Sequence, residues 1–282
     1  MQLHNHGAEI YVPDGSPVDA ALSRTTHLGV SAHQDDLEIM AYHGILECFG
    51  KPDKGFTGVT VTNGSGSPRD GLYGKYTDEE MQVVRRKEQK KAAFIGEYSA
   101  HVFLDYSSGA VKDPANTQVV EDLKKVITAC KPQVIYTHNL ADKHDTHVAT
   151  TLRIIRALRE LPGDSRPLHL YGCEVWRNLD WLNDNDKVVF NVEAHENLAM
   201  SLVGVFDSQV AGGKRYDLAT MGRRRANATY LASHGVDEST SLIFATDLTP
   251  LIENRQLEAG QYIQGFINRF AEEVSRRIAK LA

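Results

Sequence analysis

Twice in this 282-residue chain an apolar run stops at a cluster of imidazoles and carboxylates, and an amphipathic helix pattern begins at once behind it. No other feature constrains the fold as strongly. In the first instance residues 28–32 empty into His33-Gln34-Asp35-Asp36, and Leu37, Met40, Ile45 and Leu46 then mark an apolar helix face. In the second, residues 132–136 lead into a stretch, 137–147, that holds His138, Asp142, His144, Asp145 and His147. Val148, Leu152, Ile155 and Leu158 mark the helix that follows, and Pro162-Gly163 stops it. Each instance reads as strand, tight crossing, helix. Residues 55–62, 100–106, 168–175 and 188–192 read as further strands. Residues 117–129 and 194–206 read as helices. Thr77 and Glu80 form a capping box that opens another, ended by Gly96. Strands alternating with helices predict an α/β chain.

In open α/β sheets, sites form just beyond the carboxyl ends of strands. Taken alone, Asp35 and Asp36 could simply cap a helix and meet its dipole. Capping does not explain the three histidines of residues 137–147. His33, Asp36 and His147 together make a set of two imidazoles and one carboxylate, and catalytic zinc sites commonly use three protein ligands with an open position for water.

Residues 32–36, Ala-His-Gln-Asp-Asp, resemble the Ala-His-Pro-Asp-Asp signature of the PIG-L/LmbE-like zinc-dependent deacetylases. Residues 144–147, His-Asp-Thr-His, resemble that family's second signature, usually His-Pro-Asp-His. The resemblance implies a Rossmann-like, mostly parallel sheet with helices on both faces. It implies zinc held by His33, Asp36 and His147, although the same donors accept iron(II), cobalt or nickel. It makes Asp35 the general base and gives His144 the task of assisting the tetrahedral intermediate. It suggests Arg85, three residues before Glu88, and Asn63, in the turn Thr62-Asn63-Gly64, as substrate contacts. The implied reaction is removal of an N-acetyl group from an N-acetylglucosamine-type sugar or conjugate. Ser208-Gln209 matches a further family pair. Gln34 stands where the family has Pro, Ser108 precedes Gly109 where it often has Asp, and Thr146 stands where an Asp often orients the catalytic His. Asp145 or Asp142 is then expected to support His144. Two other classes stay open: a metal hydrolase of another amide, an ester or a phosphoester, and a non-catalytic sugar-binding protein on the same fold. The second carboxylate, Asp35, argues against the latter, because metal ligation alone does not require it.

A hydrophobic content of 41% supports a sizeable core, and a net charge of −6 argues against general nucleic-acid binding. Cys48, Cys130 and Cys173 form no C-x-x-C pair and read as buried thiols. No charged-then-apolar leader and no run of about 20 apolar residues occurs, so a soluble, cytoplasmic protein with no integral membrane segment is expected. Homo-oligomerisation stays open. Residues 1–25 read as an irregular N-terminal arm, and 26–282 as one domain, less regular from about 163. Trp176 and Trp181 read as packed rings, or as a platform for a sugar. Arg223, Arg224 and Arg225 read as a surface ion-pair cluster, or as contacts for an anionic substrate group or a partner subunit. Ile263, Phe266, Phe270, Val274 and Ile278 stripe a final helix expected to pack on the body.

Overall fold

The computed structural model describes residues 1–282. Eight strands form one sheet: β1 (Glu9–Tyr11), β2 (His27–Ser31), β3 (Phe56–Thr62), β4 (Ala100–Tyr106), β5 (Val134–His138), β6 (His169–Cys173), β7 (Val188–Asn191) and β8 (Leu242–Asp247). Their order across the sheet is β1-β4-β3-β2-β5-β6-β8-β7. The five central strands, β4 to β6 in that order, are parallel. β1 is antiparallel to β4, and β8 is antiparallel to both β6 and β7.

From β2 the chain steps through β3 to β4 in one direction, and then returns to the other side of β2 to lay down β5 and β6. The order therefore reverses between β2 and β5. Helices leaving those two strands diverge to opposite faces, which opens a crevice at their carboxyl ends. Both sequence clusters leave the sheet at this point.

Every residue of β2 and β3 is buried, as expected for strands covered on both faces. On one face Leu28, Val30, Val59, Val61 and Leu104 meet the helices Gln118–Cys130 and Asp145–Glu160. On the other, Leu37, Met40 and Ile45 pack with Phe56, Tyr98 and Tyr136. The first-crossing helix runs Asp36–Met40, breaks at Ala41, and resumes as Tyr42–Cys48. Its seat on the sheet depends on glycine. A Cβ at Gly29 would lie 2.7 Å from Leu37 Cδ2, and one at Gly58 would lie 2.8 Å from Leu37 Cδ1. These two bare strand positions let Leu37 reach the sheet, and that contact sets where Asp36 stands.

Several parts differ from expectation. Residues 1–25 are built into the molecule rather than forming an irregular arm. β1 covers the edge of β4, Ala21 and Leu22 are buried in the core, and His4 meets Asp122 at 2.7 Å. A three-residue strand between punctuating Pro and Gly residues is too short to produce a period-2 signal. β8, absent from the sequence reading, joins β7 to the sheet. The final helix, Ala259–Leu281, buries only Ile263 and Phe266, while Phe270, Val274 and Ile278 are exposed. No helix is long and apolar enough to cross a membrane.

Candidate metal and catalytic centre

At the end of β2 the backbone turns sharply. The Ala32 N–H donates to His138 Nε2 at 2.9 Å, and the His33 N–H donates to Asp36 Oδ2 at 2.7 Å. Asp35 sits at φ 91°, a region costly for a residue with a side chain. Two partners hold it there: Gln89 Oε1 accepts its N–H at 3.3 Å, and Arg85 Nη2 lies 3.4 Å from Oδ1. Neither Asp35 nor Asp36 caps the helix with its side chain. The capping explanation of the first cluster therefore does not describe what these carboxylates do.

Asp36 instead faces imidazoles. Its Oδ2 lies 3.3 Å from His33 Nδ1 and 3.5 Å from His147 Nε2, and those two nitrogens are 3.2 Å apart. Donors bound tetrahedrally to an ion at about 2.0–2.1 Å stand about 3.3 Å from one another. The triangle of His33, Asp36 and His147 thus has the edge lengths a small divalent ion needs. Burial pushes the His33 imidazole down to about 4, so it keeps a free lone pair at neutral pH. Burial alone would push Asp36 up, but His147, His138 and His33 outweigh it and hold that carboxyl far below its usual range.

His138 is a member of this cluster that the sequence reading left without a role. It is fully buried, stacks on His147 with ring centroids 3.8 Å apart, and has Nε2 3.5 Å from Asp36 Oδ2. Its Nε2 lone pair is already engaged by the Ala32 N–H. A neutral imidazole has only one lone pair in the ring plane, so His138 supports the turn and the His147 ring and is not a fourth donor in this arrangement. The signal for it was its position as the last residue of β5.

Asp142 stands behind His147, with Oδ2 3.6 Å from His147 Nδ1. It also accepts the backbone N–H groups of His144 at 2.9 Å and Trp176 at 3.0 Å. The carboxylate expected behind the His144 ring is therefore used elsewhere. Asp145 is exposed, and His144 Nδ1 is buried without a hydrogen-bond partner. Burial, then the neighbouring His147, lowers the His144 pKa, which favours its neutral imidazole. The His144 ring lies 5.0 Å from His33 and 4.6 Å from His147, beside the donor triangle.

Burial pushes Asp35 well above the usual carboxylate range, against the pull of Arg85 and with the push of Asp36. Arg85 itself is buried. It donates to the Gln34 carbonyl at 2.6 Å and to the Ser67 hydroxyl, so it clamps the Asp35 turn to the loop after β3 and presents no free fork to a substrate. Glu88 does not pair with it but accepts the Ser208 N–H at 2.8 Å and hydroxyl at 2.6 Å, tying a distant helix to this wall. Asn63 Oδ1 accepts the Ser65 N–H at 3.2 Å and shapes that loop. Gly64 follows at φ 79°, where a Cβ would come 2.5 Å from Gln34 Oε1. Ser107 caps the helix Ser108–Lys112, so Ser108-Gly109 opens a helix here.

One side of the crevice is aromatic. Trp176 stacks on His144 at 6.5 Å and meets Tyr216 at 6.0 Å, and Lys214 Nζ lies 5.2 Å over the indole. Trp181 packs remotely against Phe270. Lys214 and Tyr216 carry no motif in the sequence. The arginine triplet is not a surface cluster: Arg224 is buried, donates to the carbonyls of Glu38 and Ile39 at 2.8 and 3.1 Å, and lies 4.7 Å over the Tyr42 ring. Only Arg225 makes an exposed ion pair, with Glu196.

Solved structures share this architecture. N,N'-diacetylchitobiose deacetylase from Pyrococcus horikoshii aligns with a TM-score of 0.58 and 17% identity, over 77% of this chain and 82% of that one. The 4-carboxy-2-hydroxymuconate hydratase of Pseudomonas putida aligns with a TM-score of 0.58 and 15% identity, over 79% and 96%. The deacetylase of the A40926 pseudoaglycone aligns with a TM-score of 0.55 and 19% identity, over 79% and 97%. At such identities the likeness establishes the fold alone. No curated protein matches significantly in sequence. The family model described as PIG-L: GlcNAc-PI de-N-acetylase matches residues 28–158, which carry both crossings and every member of the His-Asp cluster. The segment 28–158, with both motifs and the His-Asp cluster, thus matches the PIG-L family model, and the chain shares its fold with solved deacetylases.

Proposed function

We propose that the protein is a metal-dependent hydrolase that removes an N-acyl group, acetyl in the first instance, from an N-acetylglucosamine-type sugar or conjugate. The observation that carries this reading is the His33, Asp36, His147 triangle, with edges of 3.2 to 3.5 Å and the spare carboxylate of Asp35 next in sequence. Zinc is the default occupant and iron(II) the alternative. An ion there would polarise the amide carbonyl and bring the pKa of a water to about 7.

Asp35 is suited to take a proton from the attacking water, because burial raises its basicity toward the working pH. It then delivers that proton to the leaving nitrogen, so that the amide and one water become a carboxylic acid and a free amine. His144, neutral in this setting, offers one N–H to the carbonyl oxygen as negative charge develops there. Arg85 and Gln89 hold Asp35 in position. Trp176 and Tyr216 offer apolar faces against which the hydrophobic side of a sugar ring can lie.

The fold does not choose the reaction, since a hydratase shares it. A panel of N-acetylated amino sugars and their conjugates, assayed for free amine with purified protein, with chelator, and after zinc or iron(II) is restored, tests the reading. Amine release that chelation abolishes and metal restores is the expected result. A metal-loaded protein that frees no amine from any acylated substrate sinks it.

A further inference from the structure

The helix Ala259–Leu281 leaves the body of the protein partway along its length. Ile263 and Phe266 are buried with Leu179, Leu182 and Phe244, and Arg269 pairs with Asp186. The Phe270 ring meets Trp181 edge-on at 6.4 Å. Past Phe270, every residue except Glu273 is exposed. The segment nevertheless stays amphipathic. With 3.6 residues per turn, Ile267, Phe270, Val274, Ile278 and Leu281 fall within about 80° of one another around the axis. They form one continuous apolar stripe on a helix with little beside it, and they are 40%, 38%, 41%, 62% and 80% exposed. A helical segment this short is marginal in water without a packing partner.

We propose that this projecting half-helix pairs antiparallel with the same segment of a second copy of the chain. The stripe is self-complementary about Val274. With Val274 near the two-fold axis, Phe270 of one copy lies level with Ile278 of the other, and Ile267 lies level with Leu281, so each residue finds an apolar counterpart. Charge selects the direction. Glu273 and Arg277 form an ion pair along one edge of the stripe, and Ala271 and Ser275 lie along the other edge. Two antiparallel helices set like edges against each other in reversed order, which brings each Glu273 toward the Arg277 of the other copy. Parallel helices would set the charged edge against Ala271 and Ser275, with no counter-charge. The pairing is isologous and therefore closes as a dimer. Ile267 to Leu281 spans about 21 Å of helix, so the two bodies sit at opposite ends of the pair and do not collide.

Sedimentation of the full chain across a micromolar concentration series tests this. A reversible monomer–dimer equilibrium is expected. Val274→Glu places two carboxylates at the centre of the pair and should leave only monomer, with the melting temperature of wild type at its dilute, monomeric limit, because residue 274 touches no core. Glu273→Arg and Arg277→Glu should each weaken the dimer, and the double exchange should restore it, a rescue that no loss of folding can imitate. Val274→Cys should cross-link rapidly between copies under mild oxidation, since the native cysteines are all buried. A wild-type chain that stays monomeric throughout, or a dimer indifferent to Val274→Glu, overturns the proposal. Monomers that bind anionic phosphatidylglycerol vesicles through the same stripe would overturn it too, and would assign the helix to a lipid surface.

Discussion

Adjacent residues in this site have opposite environments. Asp36 is surrounded by imidazoles that hold its carboxylate ionised, and Asp35, one residue earlier, is pushed toward its neutral form by burial. The division of labour between them leads to a direct expectation. His147→Ala removes one corner of the donor triangle and should lose most of the bound metal along with activity. Asp35→Asn should keep the metal and lose turnover. Metal analysis of both proteins checks the assignment, and an empty site in Asp35→Asn would make Asp35 a ligand. His144→Ala should lower turnover about 100–1000-fold with the metal retained, the usual cost of removing one transition-state donor. Asp142→Asn acts through His147 and should weaken metal affinity by about 10–100-fold, as loss of an orienting carboxylate does. Equilibrium dialysis against a metal-buffer series distinguishes these two substitutions.

At the scale of elements, the site depends on how closely the Asp36–Met40 helix sits on the sheet. Gly29 and Gly58 provide the floor, and Leu37 is the side chain that meets it. Gly58→Val would drive its side chain into Leu37 and into His101, whose Nδ1 lies 2.6 Å from the position of a Cβ. Overpacking of this kind costs about 1–3 kcal/mol. The expected outcome is a lower melting temperature together with weakened metal binding, because Asp36 moves with its helix. A variant that loses stability but binds metal as tightly as wild type would show that the helix seat and the donor geometry are independent. Arg85 acts at this scale as well, joining the Asp35 turn, the loop after β3 and the helix Asp78–Ile95.

For the whole molecule, the N-terminal segment matters because it closes one edge of the sheet. It is anchored at Asp122, whose fully buried carboxylate accepts from the His4 N–H at 3.1 Å, the Tyr106 hydroxyl at 2.8 Å and Lys125 at 3.0 Å. Burial would raise this carboxyl, but those hydrogen bonds outweigh it and hold its pKa below the ordinary aspartate value. A carboxyl depressed in the folded state contributes stability that is present above its unfolded pKa and is lost as the pH falls through the folded value. Asp122→Asn should therefore lower the melting temperature at neutral pH, and the gap from wild type should narrow as the pH falls below about 4. A gap that does not depend on pH would mean the ionised form contributes nothing.

The two crossings were legible in the sequence because each packs its signal into a few neighbouring residues: an apolar strand, a polar turn, and a helix with its own period. His33, Asp36 and His147 could be singled out on that basis, along with the α/β class. The sequence does not say which face a turn presents or how far one strand lies from another. Only the reversal of strand order between β2 and β5 brings residues 33 and 147 to hydrogen-bonding distance. Tertiary packing also decided that Arg85 clamps a turn, that Asp142 stands behind His147 and not His144, and that Arg224 is buried under Tyr42. The stripe on the last helix shows the same limit from the other side. Its period announces a buried face, but the helix outruns the body it starts on, and the length of a helix against the size of the core is settled in three dimensions alone.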